Sequence, residues 1–409
     1  MNPWPLIRAD LARSRLGVAI VVVVVALAVA LGVTLSAAER GVRRGSADAA
    51  AAFDLVIGMP GSAAQLVLTT VYLQPAALPL LPGEVLARLG GEPGIAWAAP
   101  IGFGDNWRGM PIVGTTAEFA TRGGRLPLAQ GRPFAALGEA VVGASVGLDI
   151  GAPIEPAHGI HGRAREARDD EEDGRGHGGV EYRVVGRMRP TGTPWDRAIL
   201  VPIETVWQIH ALGTGHAEDS TRIGPPWEAR DVPGVPAIVV KPESVASAYA
   251  LRARYRSGGT AAVFPAEVLV ELYGILGNLR DLVTALALAT QVLVGIAILL
   301  AVAAALATRR RSLAVLRAIG APREFLFTVV WGELVLIIGA GSFLGLALGY
   351  AAAFALAAWM DLATGIAAPV TLAWREVGLA VGLVVVGSLL AAVPAASAYR
   401  RPPAIDLKR

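Results

Sequence analysis

Four long apolar stretches constrain what this chain can fold into. They cover residues 16–38, 281–308, 324–360 and 376–398. Each is long enough to cross a bilayer core of about 30 Å, which takes about 20 apolar helical residues. The composition agrees, because only 17% of residues are charged, against about 25% in typical soluble domains. The sequence therefore predicts an α-helical membrane protein with four transmembrane helices, one near the start and three after a long interval.

The segments between the predicted helices complete the domain organisation. We expect a cytoplasmic N-terminus (1–15), a large extracytoplasmic domain (39–280), a cytoplasmic elbow (309–323), an extracytoplasmic loop (361–375) and a cytoplasmic C-terminus (399–409). A cleaved signal peptide is the alternative for the first stretch. An uncleaved anchor is preferred, because the apolar run exceeds the about 7–15 residues of a signal peptide.

Arginine placement predicts the orientation. Basic residues cluster before the first span, in the elbow and after the last span, and these three segments share one side if four spans are crossed. Positive charge is retained in the cytoplasm, so both termini are predicted to lie on the cytoplasmic side of the membrane, with the large domain on the other side. Arg40, Arg43 and Arg44 follow the first span and are an exception to this rule.

The large domain has the pattern of mixed strands and helices. Period-2 and short apolar runs between Gly and Pro residues favour strands at 53–58, 65–72, 95–101, 110–114, 139–142, 182–187, 198–201 and 237–240. Helices are expected at 82–89, 203–210 and 243–255. This alternation predicts an α+β domain.

Several kinds of catalysis are excluded by residue content. The chain has no cysteine, which removes thiol chemistry and sulfur-ligated metal centres. Its lysines, Lys241 and Lys408, do not follow a GxxxxG loop, and no HExxH sequence occurs. We therefore expect no enzyme activity and no cofactor bound directly. Any ATP and Mg²⁺ would be handled by another polypeptide, and membrane lipid rather than nucleic acid is the expected partner of the basic segments.

Histidines and carboxylates are concentrated in segment 157–179. His158, His161 and His177 flank an acidic run, and this polar, Gly-rich tract is predicted to be a mobile loop. Imidazoles beside carboxylates can ligate Zn²⁺. A solvated loop whose charges pair with one another is the alternative.

The third span carries a glycine repeat and a carboxylate. Gly341, Gly345 and Gly349 recur every fourth residue and share one helix face, where another backbone can approach closely. We expect this face to pack against a helix and to contribute to a dimer. Glu333 is costly within a membrane helix and should either face a partner or lie at the interface.

Residues 309–321 are predicted to form a short amphipathic helix at the membrane surface, with a basic, lipid-facing loop as the alternative. The run RRRSLAVLRAIGAPREF, the following WGELVLIIGAGSFLGLALGY and the ending VPAASAYRRPPAIDL resemble the membrane block of FtsX-like and MacB-like permeases of ABC transporters. GRPFAALGEAVVGASVGLDIGAPI and YRVVGRMRPTGTPWDRAILVPIETV are similar to the periplasmic core of that family.

The resemblance implies an obligate partnership with a separate ABC ATPase, in a complex of two permease chains and two ATPase chains. The second permease chain would be identical or related. The residues that match the family's ATPase-coupling helix are Arg309, Arg310, Arg311, Leu313, Leu316, Arg317, Gly320 and Ala321. Glu333 matches an acidic position of the family's third span.

The resemblance also implies a function. In this family nucleotide binding moves the coupling helices, and the long helices pass that movement to the outer domains, which is called mechanotransmission. The expected role is export or extraction of a hydrophobic, lipoprotein or peptide-like substrate. The alternatives are signalling to a periplasmic enzyme and a permease linked to metal homeostasis, in which the His-bearing loop senses a cation or docks a metal-binding periplasmic protein or adaptor.

The metal hypothesis predicts that the outer domain retains Zn²⁺ through the histidines of segment 157–179, because imidazole nitrogens are good Zn²⁺ ligands. Equilibrium dialysis should show retention that is lost when His158, His161 and His177 are replaced by Ala. No retained Zn²⁺, or retention that does not depend on these residues, would remove the hypothesis.

Overall fold

The computed structural model describes residues 2–74, 76–158, 181–217, 220–275 and 319–400, with single positions between 277 and 316. These residues form two compact units. The helical unit comprises Met1–Arg43, Leu276–Trp359 and Ala368–Arg409, and the sheet unit comprises Arg44–Ile275 and Met360–Ala367.

The long helices are continuous. α1 spans Trp4–Arg13 and α2 spans Arg15–Ala51. At about 1.5 Å per residue, the 37 residues of α2 extend well beyond a bilayer core, so the helix continues past the predicted span 16–38. Near the other end of the chain, Arg323–Thr364 and Trp374–Arg400 form the two further long helices, here α8 and α9.

Three helices within the described residues are long and apolar enough to cross a membrane. They are Arg15–Ala51, Arg323–Thr364 and the segment Trp374–Ala392 of α9. Most of the predicted span 281–308 lies outside the described residues, as does 401–409. The structure thus supports a membrane protein with a large α/β domain.

The sheet unit contains short helices and strands in alternation. Its helices are α3 Ala63–Tyr72, α4 Gly83–Leu89, α5 Ala117–Ala120, α6 Ile203–Ile209 and α7 Val245–Tyr255, with a 3-10 helix at Pro194–Arg197. Residues 265–275 are also helical. The strands are β1 Leu55–Gly58, β2 Ile95–Trp107, β3 Met110–Thr115, β4 Gln130–Gly131, β5 Glu139–Val142, β6 Pro153–Ile154, β7 Ala157–His158, β8 Tyr182–Arg187, β9 Ile199–Pro202, β10 Ala237–Pro242 and β11 Ala261–Val263.

These strands form one mixed sheet. Its order is β11-β1-β10-β2-β3-β9-β5-β8-β4, with β6 on β8 and β7 on β2. Most neighbours are antiparallel, whereas β3 with β9 and β5 with β8 are parallel. Parallel neighbours need a crossover connection, so the sheet is assembled from segments distant in sequence.

Alternate strand residues enter two separate cores. Leu55 and Ile57 of β1 belong to one core, and Val56 between them belongs to the other. The first core includes residues of α4, α6 and α7, while the second includes residues of α3 and Ala49 of α2. Helices therefore cover both faces of the sheet, and the predicted α+β domain is a layered one.

The predicted strand at 65–72 is wrong, because residues Ala63–Tyr72 form α3. Ser62 caps this helix by accepting a hydrogen bond from the Gln65 N–H at 3.2 Å. Leu66, Val67 and Val71 of the helix are all buried in the second core. Tertiary burial and the cap thus outweigh the strand preference of the β-branched residues.

A buried carboxylate lies at the start of α6. Glu204 is 1% exposed, and its Oε1 accepts hydrogen bonds from Trp227 Nε1 at 2.7 Å and the Gly224 N–H at 2.8 Å. His216 Nε2 lies 3.7 Å from the same oxygen. Burial raises the pKa of Glu204 above its ordinary value, although the donors and His216 act in the opposite direction. The protonated form is therefore favoured more in the folded chain than in the unfolded one.

Replacement of Glu204 by Gln should change how stability depends on pH. Because burial raises the folded pKa of Glu204, the wild-type chain should lose stability as pH rises from the unfolded value of about 4.5 through the folded pKa. Glu204→Gln retains an acceptor oxygen but does not titrate. The Tm difference, variant minus wild type, should therefore increase between about pH 4.5 and 7.5. A difference that stays constant over this range would contradict the assignment.

Candidate functional site

The glycine face of α8 packs against α2 of the same chain. A Cβ added to Gly341 would lie 2.6 Å from Val25 Cβ, one on Gly345 would lie 2.6 Å from Ala26 O, and one on Gly349 would lie 2.7 Å from Val33 Cβ. Only glycine permits this backbone approach. Residues of the same chain therefore pack against this face, as expected for a helix-packing surface, and its contribution to a dimer stays a prediction.

A hydrogen bond at the same contact fixes the helices along their axes. Thr34 Oγ1 donates to Gly349 O at 3.1 Å, and it also lies 2.7 Å from Ala30 O of its own helix. A hydroxyl among apolar helices needs such an acceptor. The contact between α2 and α8 thus combines close packing with one directional bond.

A polar cluster joins α2, α8 and α9 within the helical unit. Ser36 Oγ donates to Glu376 Oε1 at 2.6 Å, and Arg40 forms an ion pair with the same oxygen. Tyr350 Oη donates to Glu376 Oε2 at 3.2 Å. Arg40 Nη2 also donates to Thr371 O at 2.8 Å. Ser36, Arg40, Tyr350 and Glu376 are called the Glu376 cluster below.

The Glu376 cluster explains one exception in the arginine pattern. The Glu376 side chain has no exposed surface, and that of Arg40 is 17% exposed. Removing one member of such a buried pair costs about 3–5 kcal/mol, because the other charge is left without a partner. The positive charge of Arg40 is therefore neutralised by Glu376 and does not oppose the predicted orientation in the way that a free arginine would.

In the sheet unit, the loop before β9 is held by one carboxylate. Asp196 is buried, and its oxygens accept hydrogen bonds from the Thr191 N–H, from Thr191 Oγ1 at 2.7 Å and from the Gly192 N–H at 2.7 Å. Trp195 Nε1 donates to Val71 O at 3.2 Å. The loop is consequently rigid, with its indole anchored to α3.

This loop holds the end of α8. Arg197 Nη1 donates to Leu362 O at 3.0 Å and to Ala363 O at 2.8 Å. These are among the last carbonyls of α8, which have no partner within the helix and which favour a nearby cation. The Ala367 N–H donates to Gly192 O at 3.1 Å. Residues 191–197 and 362–367 are called the junction below.

The end of α2 belongs to the same part of the sheet unit. A Cβ on Gly45 would overlap Ala367 O, so the junction lies directly against the helix backbone. Tyr72 Oη donates to Ser46 O at 2.7 Å, and Ala49 is in the second core. The ends of both α2 and α8 are therefore parts of the sheet unit.

Sequence reasoning missed the Glu376 cluster and the junction. The available signal was Glu376 at the first position of the predicted span 376–398, where an unpartnered carboxylate is costly. Arg40 and Glu376 are 336 positions apart, and periodicity cannot pair residues at that separation. The junction arginine, Arg197, lies in the run YRVVGRMRPTGTPWDRAILVPIETV, whose similarity to the family's periplasmic core assigns no role to this residue.

The structure describes only part of the predicted coupling helix. Leu316 is helical, Gly320 has a φ of 102°, and the Ala321 N–H donates to Leu316 O at 3.0 Å. This is the pattern of a helix end closed by glycine. Arg309, Arg310, Arg311, Leu313 and Arg317 lie outside the described residues. Glu333 is buried in the helical unit, with 9% of its surface exposed.

The predicted metal ligands also lie mostly outside this description. The backbone of His158 belongs to β7 and pairs with Asp105 of β2. Its side chain is outside the described residues, as are His161 and His177 and the rest of the acidic loop. Among the residues that are described, no group of three or more His, Cys, Asp or Glu side chains could hold a metal ion.

Two family models match the chain. The model described as MacB-like periplasmic core domain matches residues 15–257, and the one described as FtsX-like permease C-terminal matches residues 284–404. The first alone covers more than half of the chain. A comparison with curated protein sequences found no match.

Solved structures with similarity to this chain include two extracytoplasmic regions. The periplasmic region of MacB from Actinobacillus actinomycetemcomitans is 11% identical, with a TM-score of 0.32, and the match covers 55% of this chain and 95% of that one. The extracellular domain of the noncanonic ABC-type transporter YknZ from Gram-positive bacteria is 12% identical, with a TM-score of 0.29. That match covers 51% of this chain and 98% of the YknZ domain.

Replacement of Gly345 by Leu should destabilise the helical unit. The new Cβ would lie 2.6 Å from Ala26 O, so α2 and α8 must separate, at a cost of about 1–3 kcal/mol. The apparent Tm in detergent should fall by several degrees. Gly339→Leu is the matched control on the same helix, because nothing lies within 4 Å of its added Cβ. Equal Tm values for the two variants would contradict the packing assigned to Gly345.

Proposed function

Because the chain belongs to the FtsX-like permeases of ABC transporters that carry a MacB-like periplasmic core domain, we propose that it couples a separate ATPase to movement of its sheet unit. The chain itself contributes no nucleotide-binding loop, since neither lysine follows a GxxxxG sequence. ATP and Mg²⁺ would be bound by the partner.

The observation that carries this proposal is the continuity of α2 and α8. Residues 44–51 of α2 and 360–364 of α8 belong to the sheet unit, while the rest of each helix belongs to the helical unit. A helix is stiff along its axis, and the ends of these two are held by Tyr72, Arg197 and the contact at Gly45. Tilting of either helix would therefore act directly on the sheet unit.

The elbow, residues 309–323, is the proposed contact through which the ATPase moves the permease. Leu316, Arg317 and the basic run 309–311 combine apolar and cationic side chains, which suits a short helix that docks in an acidic or polar groove of an ATPase. The elbow connects directly to α8, which begins at Arg323. A displacement of the elbow would thus be passed to the helix that ends in the junction.

The substrate is proposed to enter from the periplasm or from the membrane. In the described helices, the polar side chains of the Glu376 cluster bond to one another. The glycine face packs against α2. Conduction would need polar groups along a water-filled path. Export or extraction of a hydrophobic, lipoprotein or peptide-like substrate fits this arrangement better, with signalling to a periplasmic enzyme as the alternative outcome of the same movement.

The partnership predicts a specific effect of Arg317→Asp. Tagged wild-type chain purified from its native membrane should retain a separate P-loop ATPase, whereas Arg317→Asp should lose it, because a carboxylate replaces a cation at the contact. Arg375→Asp is the matched control, since it makes the same exchange at an exposed position at the start of α9. Mass spectrometry of the bound proteins provides the measurement.

The same variants test transmission to the sheet unit. The chain has no cysteine, so a single spin label at Arg183→Cys, on the exposed side of β8, would report distances between two chains. ATP with vanadate should shift that distance in the wild type and in Arg375→Asp but not in Arg317→Asp. Recovery of no ATPase with any chain would reject the partnership. A bound ATPase with no change of distance would reject the movement.

A further inference from the structure

A cleft of about 440 Å³ opens on the sheet unit. One wall is formed by Trp97 of β2 and Lys241 of β10, which are paired across the two strands and so have neighbouring side chains. The other wall is formed by α5 and the turn 121–125 that follows it. Small-molecule sites occupy about 300–1,000 Å³, so the cleft is large enough for a small ligand.

The turn that lines the cleft is fixed in an unusual conformation. Arg122, Gly123 and Gly124 have φ values of 51°, 65° and 80°. A Cβ on Gly123 would lie 2.6 Å from Trp97 Cδ1, so the turn backbone lies against the edge of the indole. The Gly123 N–H donates to Glu118 O at 2.7 Å. The wall is consequently formed before any ligand arrives.

Arg122 is held in this wall by aromatic rings. Its guanidinium carbon lies 4.6 Å from the centroid of the Phe53 ring and 4.5 Å from that of Phe119. Nη1 donates to Ala52 O at 3.4 Å. Burial lowers the pKa of Arg122 to about 10, with Asp54 acting in the opposite direction. The side chain therefore remains charged at neutral pH.

The charge of Arg122 is not cancelled by an ion pair within the described part of the chain. The nearby Asp54 pairs instead with Lys241 Nζ at 2.6 Å. Arg125 is a second arginine of the lining and is exposed, and Glu118 is the carboxylate among the lining residues. With Asp54 offsetting Lys241 and Glu118 offsetting one arginine, the cleft retains a positive balance beside an indole face.

We infer that this cleft binds a small amphipathic anion, with a carboxylate or phosphate monoester head at Arg122 and Arg125 and an apolar body against Trp97. Guanidinium groups recognise both kinds of head by charge-assisted hydrogen bonds. The apolar side of the cleft is supplied by Trp97, Pro133 and Ala117. This inference goes beyond the proposed permease function and needs no ATPase for its test.

The test uses the full chain in lipid nanodiscs and isothermal titration calorimetry, with empty nanodiscs subtracted. The probes are 3-phenylpropionate and phenyl phosphate, whose relative affinities distinguish the two heads. Inorganic phosphate supplies a head without a body, and 3-phenyl-1-propanol supplies the body without a charge. At least one of the two amphipathic anions should bind about tenfold more tightly than either comparator, because the alcohol lacks the charge-assisted hydrogen bonds and inorganic phosphate lacks the apolar contact.

Variants assign the binding to the cleft. Arg122→Gln and Arg125→Gln should each weaken binding of the anion by about tenfold. Trp97→Leu should also weaken binding of the anion, and the anion should still bind more tightly than the alcohol. Arg183→Gln, an exposed arginine outside the lining, should leave binding unchanged. Because Arg122 packs on two rings, Arg125→Gln decides the question if Arg122→Gln fails to fold. No binding of either anion, equal binding of the alcohol, or unchanged affinity in Arg125→Gln would overturn the inference.

Discussion

A carboxylate with no exposed surface is the constraint that organises the helical unit. Glu376 is fully buried, and a buried charge is tolerated only with a complete set of partners. Those partners come from two other helices, with Ser36 and Arg40 on α2 and Tyr350 on α8. These bonds therefore fix the positions of three helices at one level. The glycine contacts between α2 and α8 continue the packing of these two helices along their length.

The helices that supply these donors are also those whose ends belong to the sheet unit. α2 contributes Ala49 to the second core, and α8 ends at carbonyls that Arg197 binds. The attachment of α8 uses carbonyls that a helix end leaves unsatisfied, and that of α2 uses apolar burial and the close approach at Gly45. A permease that works by moving an outer domain needs such attachments, because movement is lost wherever a connection can bend. The proposed function therefore depends on these attachments at the ends of α2 and α8.

The features that local sequence determines were predicted well. The strands at β5 and β8 have the predicted bounds, and β1, β3, β9 and β10 differ by few residues, because alternation and Gly or Pro punctuation act over short distances. The helix Ala63–Tyr72 was predicted as a strand at 65–72, since its β-branched residues favour a strand and the burial of Leu66, Val67 and Val71 in the second core is a tertiary effect. Neither the Glu376 cluster nor the junction could be derived by periodicity, because Arg40 is 336 positions from Glu376 and Arg197 is 165 positions from Leu362.

The ring cluster of the second core connects the inferred ligand cleft to the junction. Phe119 lies 4.6 Å from Trp195 and Phe53 lies 6.0 Å from it, measured between ring centroids. The same two phenylalanines carry the guanidinium of Arg122 on their faces. A ligand that draws Arg122 toward its own anionic head would alter the packing of rings that also hold Trp195, whose neighbour Arg197 binds the end of α8. Because coupling between two equilibria is reciprocal, a displacement of Arg197 that altered this ring packing would in turn alter the affinity of the inferred cleft.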